Sequence, residues 1–340
     1  MSKRVIILMA LLALVAFVFV SCAKKEEKAE GWEPTKPIQI IVPWGAGGST
    51  DQMTRVVAGD LEDSLGQKIV VVNQPGASGS VGTKNAMDAD HDGYTWAAGA
   101  AADLGAYKVR GLIDSTLDDW VLYLTVANVS VMSVNADEPY QDFGELLQAF
   151  KDKPGQIPVA TAGQLSAGHN SMIAIQKYTD IEYKHVTYDG GNPAVIATVA
   201  GECVAVPQLA VEQADMLAGG KLRALAVLDD KPLELEKYGT IEPITKWVPD
   251  FEPGPNYFGI WIPKDAPKEV IDTFGKLWDD VMENSDALKK YAASRGAVFD
   301  PSWGEEAQKK AMPYLSIIAW NLHNAGETVM SPAEVGIPKP

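Results

Sequence analysis

Four times along this chain a segment of strand length meets a turn of glycine and other small residues and then a helix-forming segment. Residues 37–43 lead into Trp44-Gly45-Ala46-Gly47-Gly48. Residues 69–72 lead into Pro75-Gly76-Ala77-Ser78-Gly79-Ser80. Residues 157–160 lead into Thr161-Ala162-Gly163-Gln164-Leu165-Ser166-Ala167-Gly168-His169, and residues 183–188 into Asp189-Gly190-Gly191-Asn192-Pro193. Strands that are apolar without alternation belong to sheets covered on both faces. The helix after the first turn has Met53, Val56, Val57, Leu61 and Leu65 at helical spacing, and Gly66 ends it. Ser49 with Gln52 has the spacing of a capping box, and Asn192 before Pro193 suits a helix N-cap. The alternation predicts an α/β fold of mostly parallel sheets flanked by helices.

The junctions also say what such a fold can bind. In open α/β sheets, ligands sit at the carboxyl ends of the strands. Helix N-termini there offer unpaired N–H groups and a positive dipole end, which favour anions. The chain as a whole is acidic, with 45 Asp and Glu against 29 Lys and Arg. Nucleic acid is therefore not an expected partner, since no basic face is present to replace counterions. The 340 residues suggest two domains at ~150 residues each. No P-loop Lys-Ser/Thr pair follows Gly48, and the glycine spacing does not fit a dinucleotide fingerprint. Two cysteines form no disulfide framework or Cys-based metal site, and His91, His169, His185 and His323 lack ligand spacing. Neither metal nor cofactor is expected.

The N-terminus reads as an address. Lys3 and Arg4 precede an apolar run over residues 5–20, which is short for a membrane span, and the run exits at Ser21-Cys22. This pattern resembles a bacterial lipoprotein signal with Cys22 acylated, although Phe19 departs from the usual Leu. Residues 1–22 are then the signal through the acylated cysteine, and 23–35 a charged flexible tether. The expected location is extracytoplasmic and membrane-anchored. Cys203 is left as a buried thiol.

The run from Ile40 to Asp51 resembles the opening motif of the Bug/TctC family, the solute receptors of tripartite tricarboxylate transporters. The likeness continues through Gly66 to Gly82, Asp92-Gly93-Tyr94-Thr95, Thr161-Ala162-Gly163 with Ser166 and His169, and His185 to Gly191. It ends with Gly201-Glu202, Leu222 to Val227 and Phe258 to Pro263. It spans residues 36–325 in consistent order. The resemblance implies a two-lobed periplasmic-binding-protein fold (type II) with hinge strands, no enzymatic activity, and a monomeric state. Lobe 1 would be 36–131 plus 256–325, lobe 2 132–255, and 326–340 a C-terminal extension. The chain would cross between lobes near 131–139 and 253–259.

The implied ligand is a small organic acid: a di- or tricarboxylate, an acidic amino acid or an aromatic acid. The implied partners are membrane transporter subunits. Carried over by position, lobe 1 contacts come from Trp44, Ala46, Gly47, Gly48, Ser49, Thr50 and Asp51, and from Gly76, Ala77, Ser78 and Gly79. Lobe 2 contacts come from Thr161, Ala162, Gly163, Ser166 and His169, and from Tyr188, Asp189 and Gly190. Gly47 to Thr50 are expected to donate to a carboxylate, Asp51 to orient water or accept from a ligand hydroxyl or ammonium, and Ser166 to donate to the ligand's other end. His169 is expected chiefly as a structural histidine. Gln74 and Asp189 stand where the family usually has Arg and Lys, which bears on the solute. A receptor that presents its ligand to a membrane sensor is the alternative function. A serine hydrolase is disfavoured, because Gln164-Leu165-Ser166-Ala167-Gly168 lacks the first glycine of a nucleophile elbow.

Overall fold

The first apolar run is strand β1 (Ile38–Val42), and it enters helix α1 (Ser49–Leu65) through the glycine turn. In this computed structural model residues 31–340 are described; the apolar run at 5–20, Cys22 and the expected tether up to residue 30 lie outside them. The chain continues through β2 (Ile69–Asn73), α2 (Ser80–Met87), β3 (Thr95–Ala100), α3 (Ala101–Ala106) and β4 (Trp120–Asn128). A second set follows: β5 (Val131–Asn135), α4 (Phe143–Asp152), β6 (Pro158–Thr161), α5 (Ala167–Thr179), β7 (Lys184–Thr187), α6 (Gly191–Val199), β8 (Ala205–Val206), α7 (Ala210–Ala218) and β9 (Leu222–Val227). A small hairpin, β10 (Leu233–Leu235) and β11 (Gly239–Ile241), precedes the return through β12 (Asn256–Pro263), α8 (Lys268–Leu277), α9 (Asp286–Arg295), β13 (Val298–Trp303) and α10 (Gly304–Asn324).

The strands form two main sheets, in the orders β13-β4-β12-β3-β1-β2 and β7-β6-β8-β5-β9. These are the cores of two lobes. The pairing is more mixed than the mostly parallel sheets expected. β1 and β6 are flanked by parallel neighbours. β12 and β5 pair antiparallel on both sides, because each enters its sheet from the other lobe. The first crossing lies at residues 129–130, since Val131 already belongs to β5. It therefore falls just before the expected segment.

The apolar strand β1 buries as anticipated, with Ile38, Ile40 and Val42 wholly covered, whereas β2 lies at the sheet edge and leaves Val70 exposed. Lobe 1 packs Trp120, Leu124, Trp261 and Leu315 into one core, and each such side chain contributes about 1.5–3 kcal/mol on burial. Ile337 belongs to that core, and Trp320 Nε1 donates to the Pro338 carbonyl at 2.8 Å. Residues 326–340 are thus part of lobe 1 packing rather than a separate extension.

Two helix starts differ from expectation. α1 has no side-chain cap: Gln52 Nε2 reaches the Gly47 carbonyl at 2.7 Å, and the Ser49 amide is taken by a residue of the other lobe. α6 starts at Gly191 with Gly190 as its N-cap, so Asn192 is already helical. At the other end of α1, Gly66 takes the left-handed conformation that closes a helix, as read from the sequence.

Candidate functional site

The four strand-to-helix turns come from both sheets and converge on one cleft between the lobes. Lobe 1 supplies the turns before α1 and α2, and lobe 2 those before α5 and α6. The cleft is closed. Gly45 is packed so near lobe 2 that a Cβ there would lie 2.6 Å from the Asp189 carbonyl oxygen. Two compartments remain inside, and Trp44 and Ala162 line both.

The inner compartment holds about 30 Å³, room for one or two waters. Gly48, Ser49 and Thr50 border it from α1, Asp103 from α3, and Asn256 and Phe258 from β12. From lobe 2 come Ser166, Ala167, Gly191, Gln208, Leu209 and Glu212. The outer compartment holds about 130 Å³ and is bordered by Pro75, Gly76, Ala77, Ser78, Gly163, Thr187, Tyr188 and Asp189. Ala77 and Ser78 have φ of +43° and +58°, a left-handed backbone that costs roughly 1–2 kcal/mol per non-glycine residue. Strain of this kind collects at ligand-binding loops.

Of the nineteen residues expected from sequence, twelve border a compartment. They are Trp44, Gly48, Ser49, Thr50, Gly76, Ala77, Ser78, Ala162, Gly163, Ser166, Tyr188 and Asp189. The other seven stand behind the wall or beside it. Ala46 is exposed at the tip of the first turn. Gly79 lies under the Trp44 ring, and Gly190 presses on Gly45. Thr161 Oγ1 is 2.6 Å from His185 Nε2 and accepts from the Gly163 amide.

Asp51 is engaged within lobe 1. Its carboxylate accepts from the Gly47 amide (2.9 Å), from Arg55 Nε and an Arg55 terminal nitrogen (3.1 and 2.8 Å), and from Asn73 (3.0 Å). Burial would raise this carboxyl, but Arg55, Gly47 and Asn73 together hold it below the usual range. These partners place it in the scaffold of the turn.

The donors expected for a carboxylate are also largely engaged. The Gly47 amide serves Asp51, and the Gly48 amide reaches the Gly45 carbonyl at 3.4 Å. The Ser49 amide donates to Glu212 Oε1 at 3.1 Å. Ser166 caps α5 by accepting from the His169 amide, while its hydroxyl donates to the Gly163 carbonyl at 2.7 Å. The Tyr188 hydroxyl donates to Glu202 at 3.2 Å and lies 3.6 Å from the buried thiol of Cys203.

His169 faces elsewhere. With Ile173, Gln176 and Lys177 it borders a groove of about 580 Å³ on another flank of α5. Its ring stacks on His185 with centroids 4.9 Å apart, and its Nε2 is 3.4 Å from Glu327. Burial, reinforced by His169, pushes His185 down to about 4, so it is neutral at pH 7.

Sequence reading missed Asp103, Gln208, Glu212 and Asn256. Each puts a buried polar atom without a partner beside the inner compartment: Asp103 Oδ1, Gln208 Nε2, Glu212 Oε2 and Asn256 Oδ1. Burial pushes Asp103 up to about 8 and also raises Glu212, the latter against the pull of Ser49. Asp103 did carry a signal, as the lone charge in the small apolar run 96–107. Glu212 carried none, since an acid in a first helical turn ordinarily serves the helix dipole.

Comparison with known proteins places this geometry. The chain matches the family model "Tripartite tricarboxylate transporter family receptor" over residues 53–311. Protein BugT of Bordetella pertussis is 29% identical over 265 residues, which cover 76% of this chain and 80% of BugT. The structure of the periplasmic binding protein BugD superposes with a TM-score of 0.79 at 23% identity, covering 87% of this chain and 99% of that one. An R. palustris protein solved with adipate superposes with a TM-score of 0.78 at 21% identity, covering 86% and 98%. At such identities the structural likeness establishes the two-lobed fold. The sequence match goes further: this chain belongs to the tripartite tricarboxylate transporter receptor family, whose members are extracytoplasmic solute-binding receptors and not enzymes.

Proposed function

We propose that this protein captures a small organic acid in the cleft between its lobes and delivers it to the membrane components of a tripartite tricarboxylate-type transporter. Cys22, acylated, tethers it outside the cytoplasmic membrane. The observation that carries the reading is the convergence of four strand-to-helix turns, two from each lobe, on one closed cleft. Neighbours of the same fold hold adipate and malate, which supports a carboxylate as part of the ligand.

The inner compartment is far too small for such a solute in the closed form. Entry therefore requires the lobes to part, and binding draws them together by hinge motion at the 129–130 crossing and its return strand β12. The ligand's carboxylate lies at the outer compartment, against the turn 76–78 and Gly163.

Thermal unfolding of the full chain against organic acids, each paired with its neutral amide, tests this. A ligand at ~100 times its Kd adds about 2.7 kcal/mol of stability. The expected result is stabilisation by an acid and none by its amide. Equal shifts from both members of a pair would overturn the carboxylate reading.

A further inference from the structure

Glu212 already occupies the position that a ligand carboxylate would seek at the first turn of α1. Its Oε1 accepts from the Ser49 amide at 3.1 Å. A Cβ on Gly191 would lie 2.1–2.2 Å from its carboxylate atoms, so the same group also sits against the start of α6. The anion-favouring ends of two helices therefore hold the protein's own carboxylate.

Of the four unpartnered polar atoms beside the inner compartment, three are acceptors that suit a cation and one, Gln208 Nε2, is a donor. Asp103 is 6% exposed and Asn256 3%, and both leave an oxygen with no hydrogen-bond partner there. Glu212 Oε2 is a third such oxygen. Among the described residues, no Lys, Arg or His borders the compartment. Trp44 and Phe258 add aromatic walls, whose faces attract cations. A protonated amine has three N–H donors and no acceptor, and it needs three acceptors when buried. A buried carboxylate with neither cation nor donor is the costlier alternative.

We propose that Asp103, Glu212 and Asn256 form an ammonium seat, so that this receptor selects solutes carrying a protonated amine over plain di- or tricarboxylates. The proposal rests on the cleft being the solute site. The seat draws Asp103 and Asn256 from lobe 1 and Glu212 from lobe 2, so one ligand amine bridges both lobes. An amine at the inner end and a carboxylate at the outer end describe a zwitterionic, amino-acid-like solute.

The test is calorimetric and thermal titration of the full-length protein with three matched series of three to six carbons: α,ω-diacids, α,ω-amino acids and α,ω-diamines. The expected result is that the best amine-bearing probe binds at least tenfold tighter than the diacid of its length. Asp103→Asn and Glu212→Gln each weaken that probe at least tenfold, and Glu212→Gln tightens the diacid. A preference for diacids that survives Glu212→Gln overturns the ammonium seat and leaves the carboxylate receptor standing. Binding by none of the three series overturns the cleft reading, and the seat with it. Unfolding of the empty variants checks that their losses are not losses of fold.

Discussion

The lobes meet through acids at two places, and the two differ in how the charge is met. At one, Glu327 is gripped from both lobes. Arg110 of lobe 1 donates to its carboxylate and, at 2.7 Å, to its carbonyl, while His169 of lobe 2 stands 3.4 Å away. Arg110 also reaches Gln164 of lobe 2 at 2.7 Å. His169 first, then Arg110, hold Glu327 down at about 2. At the other place, Asp103 and Glu212 meet across the inner compartment with an orphan oxygen each. Glu327 keeps 28% of its side chain exposed and is partnered; Asp103 is 6% exposed and is not. A paired carboxylate fastens the fold, whereas an unpaired buried one opposes it and is kept for something that binds.

The largest expected effect comes from breaking the fastened site. Glu327→Ala leaves Arg110 buried without its carboxylate, and a stability loss of about 3 kcal/mol is expected in urea unfolding. The pH profile has a definite sign. A depressed carboxyl contributes above its unfolded value and loses that contribution as pH falls toward about 2. A loss below about 1 kcal/mol would show that Glu327 is no fastener.

The next prediction concerns the unpaired site and has the opposite sign. The folded chain holds the Asp103 proton up to about 8, while the unfolded chain releases it near 4. Stability therefore falls as pH rises across that window. Asp103→Asn should flatten the fall and stabilise the empty protein by about 2 kcal/mol at pH 8, read from unfolding curves across pH. A variant that tracks the parent curve would remove the contrast between the two sites.

A third test spares both acids and acts on closure. The side chain in Gly45→Ala meets the Asp189 carbonyl oxygen, so the lobes cannot seat fully. Ligand affinity should fall about tenfold, or ~1.4 kcal/mol, with little change in the stability of the empty protein. Titration calorimetry checks it, and unchanged affinity would mean that the ligand is held with the lobes apart. The smallest effect belongs to Asp189, which is exposed at the outer compartment. Asp189→Asn should change stability by less than about 0.5 kcal/mol, as an exposed charge does. A larger change would show that the outer compartment also depends on buried charge.

Much of the frame was legible in the residues. The apolar runs of β1 and β6 became buried strands, β2 took the sheet edge, and the small-residue turns became the rim of the cleft. Ser49, Thr50, Ala77, Ser78, Ala162 and Gly163 border the compartments, and turn chemistry, which is local, pointed to them. Asp51 shows the limit of that reading. Its place in the motif was plain, but Arg55 and Asn73 absorb its hydrogen bonds, and one of these lies a full strand away. Ser49 likewise reached a partner that no local pattern names, Glu212 of the other lobe. Residues 326–340 read as an extension because Glu327 and Ile337 gain their meaning only from Arg110, His169 and the lobe 1 core.

The order of strands, turns and helices, and with it the family, was determined by the sequence, because hydrophobic period and glycine placement act within a few residues. Tertiary structure alone decided which strands run antiparallel and where the chain crosses between lobes. It also decided that Asp103, Glu212 and Asn256, far apart in the chain, share one small compartment while Glu327 meets Arg110 and His169. The physical reason is that a carboxylate's burial and partners are properties of the assembled lobes, and they determine whether the same side chain fastens the fold or waits for a ligand.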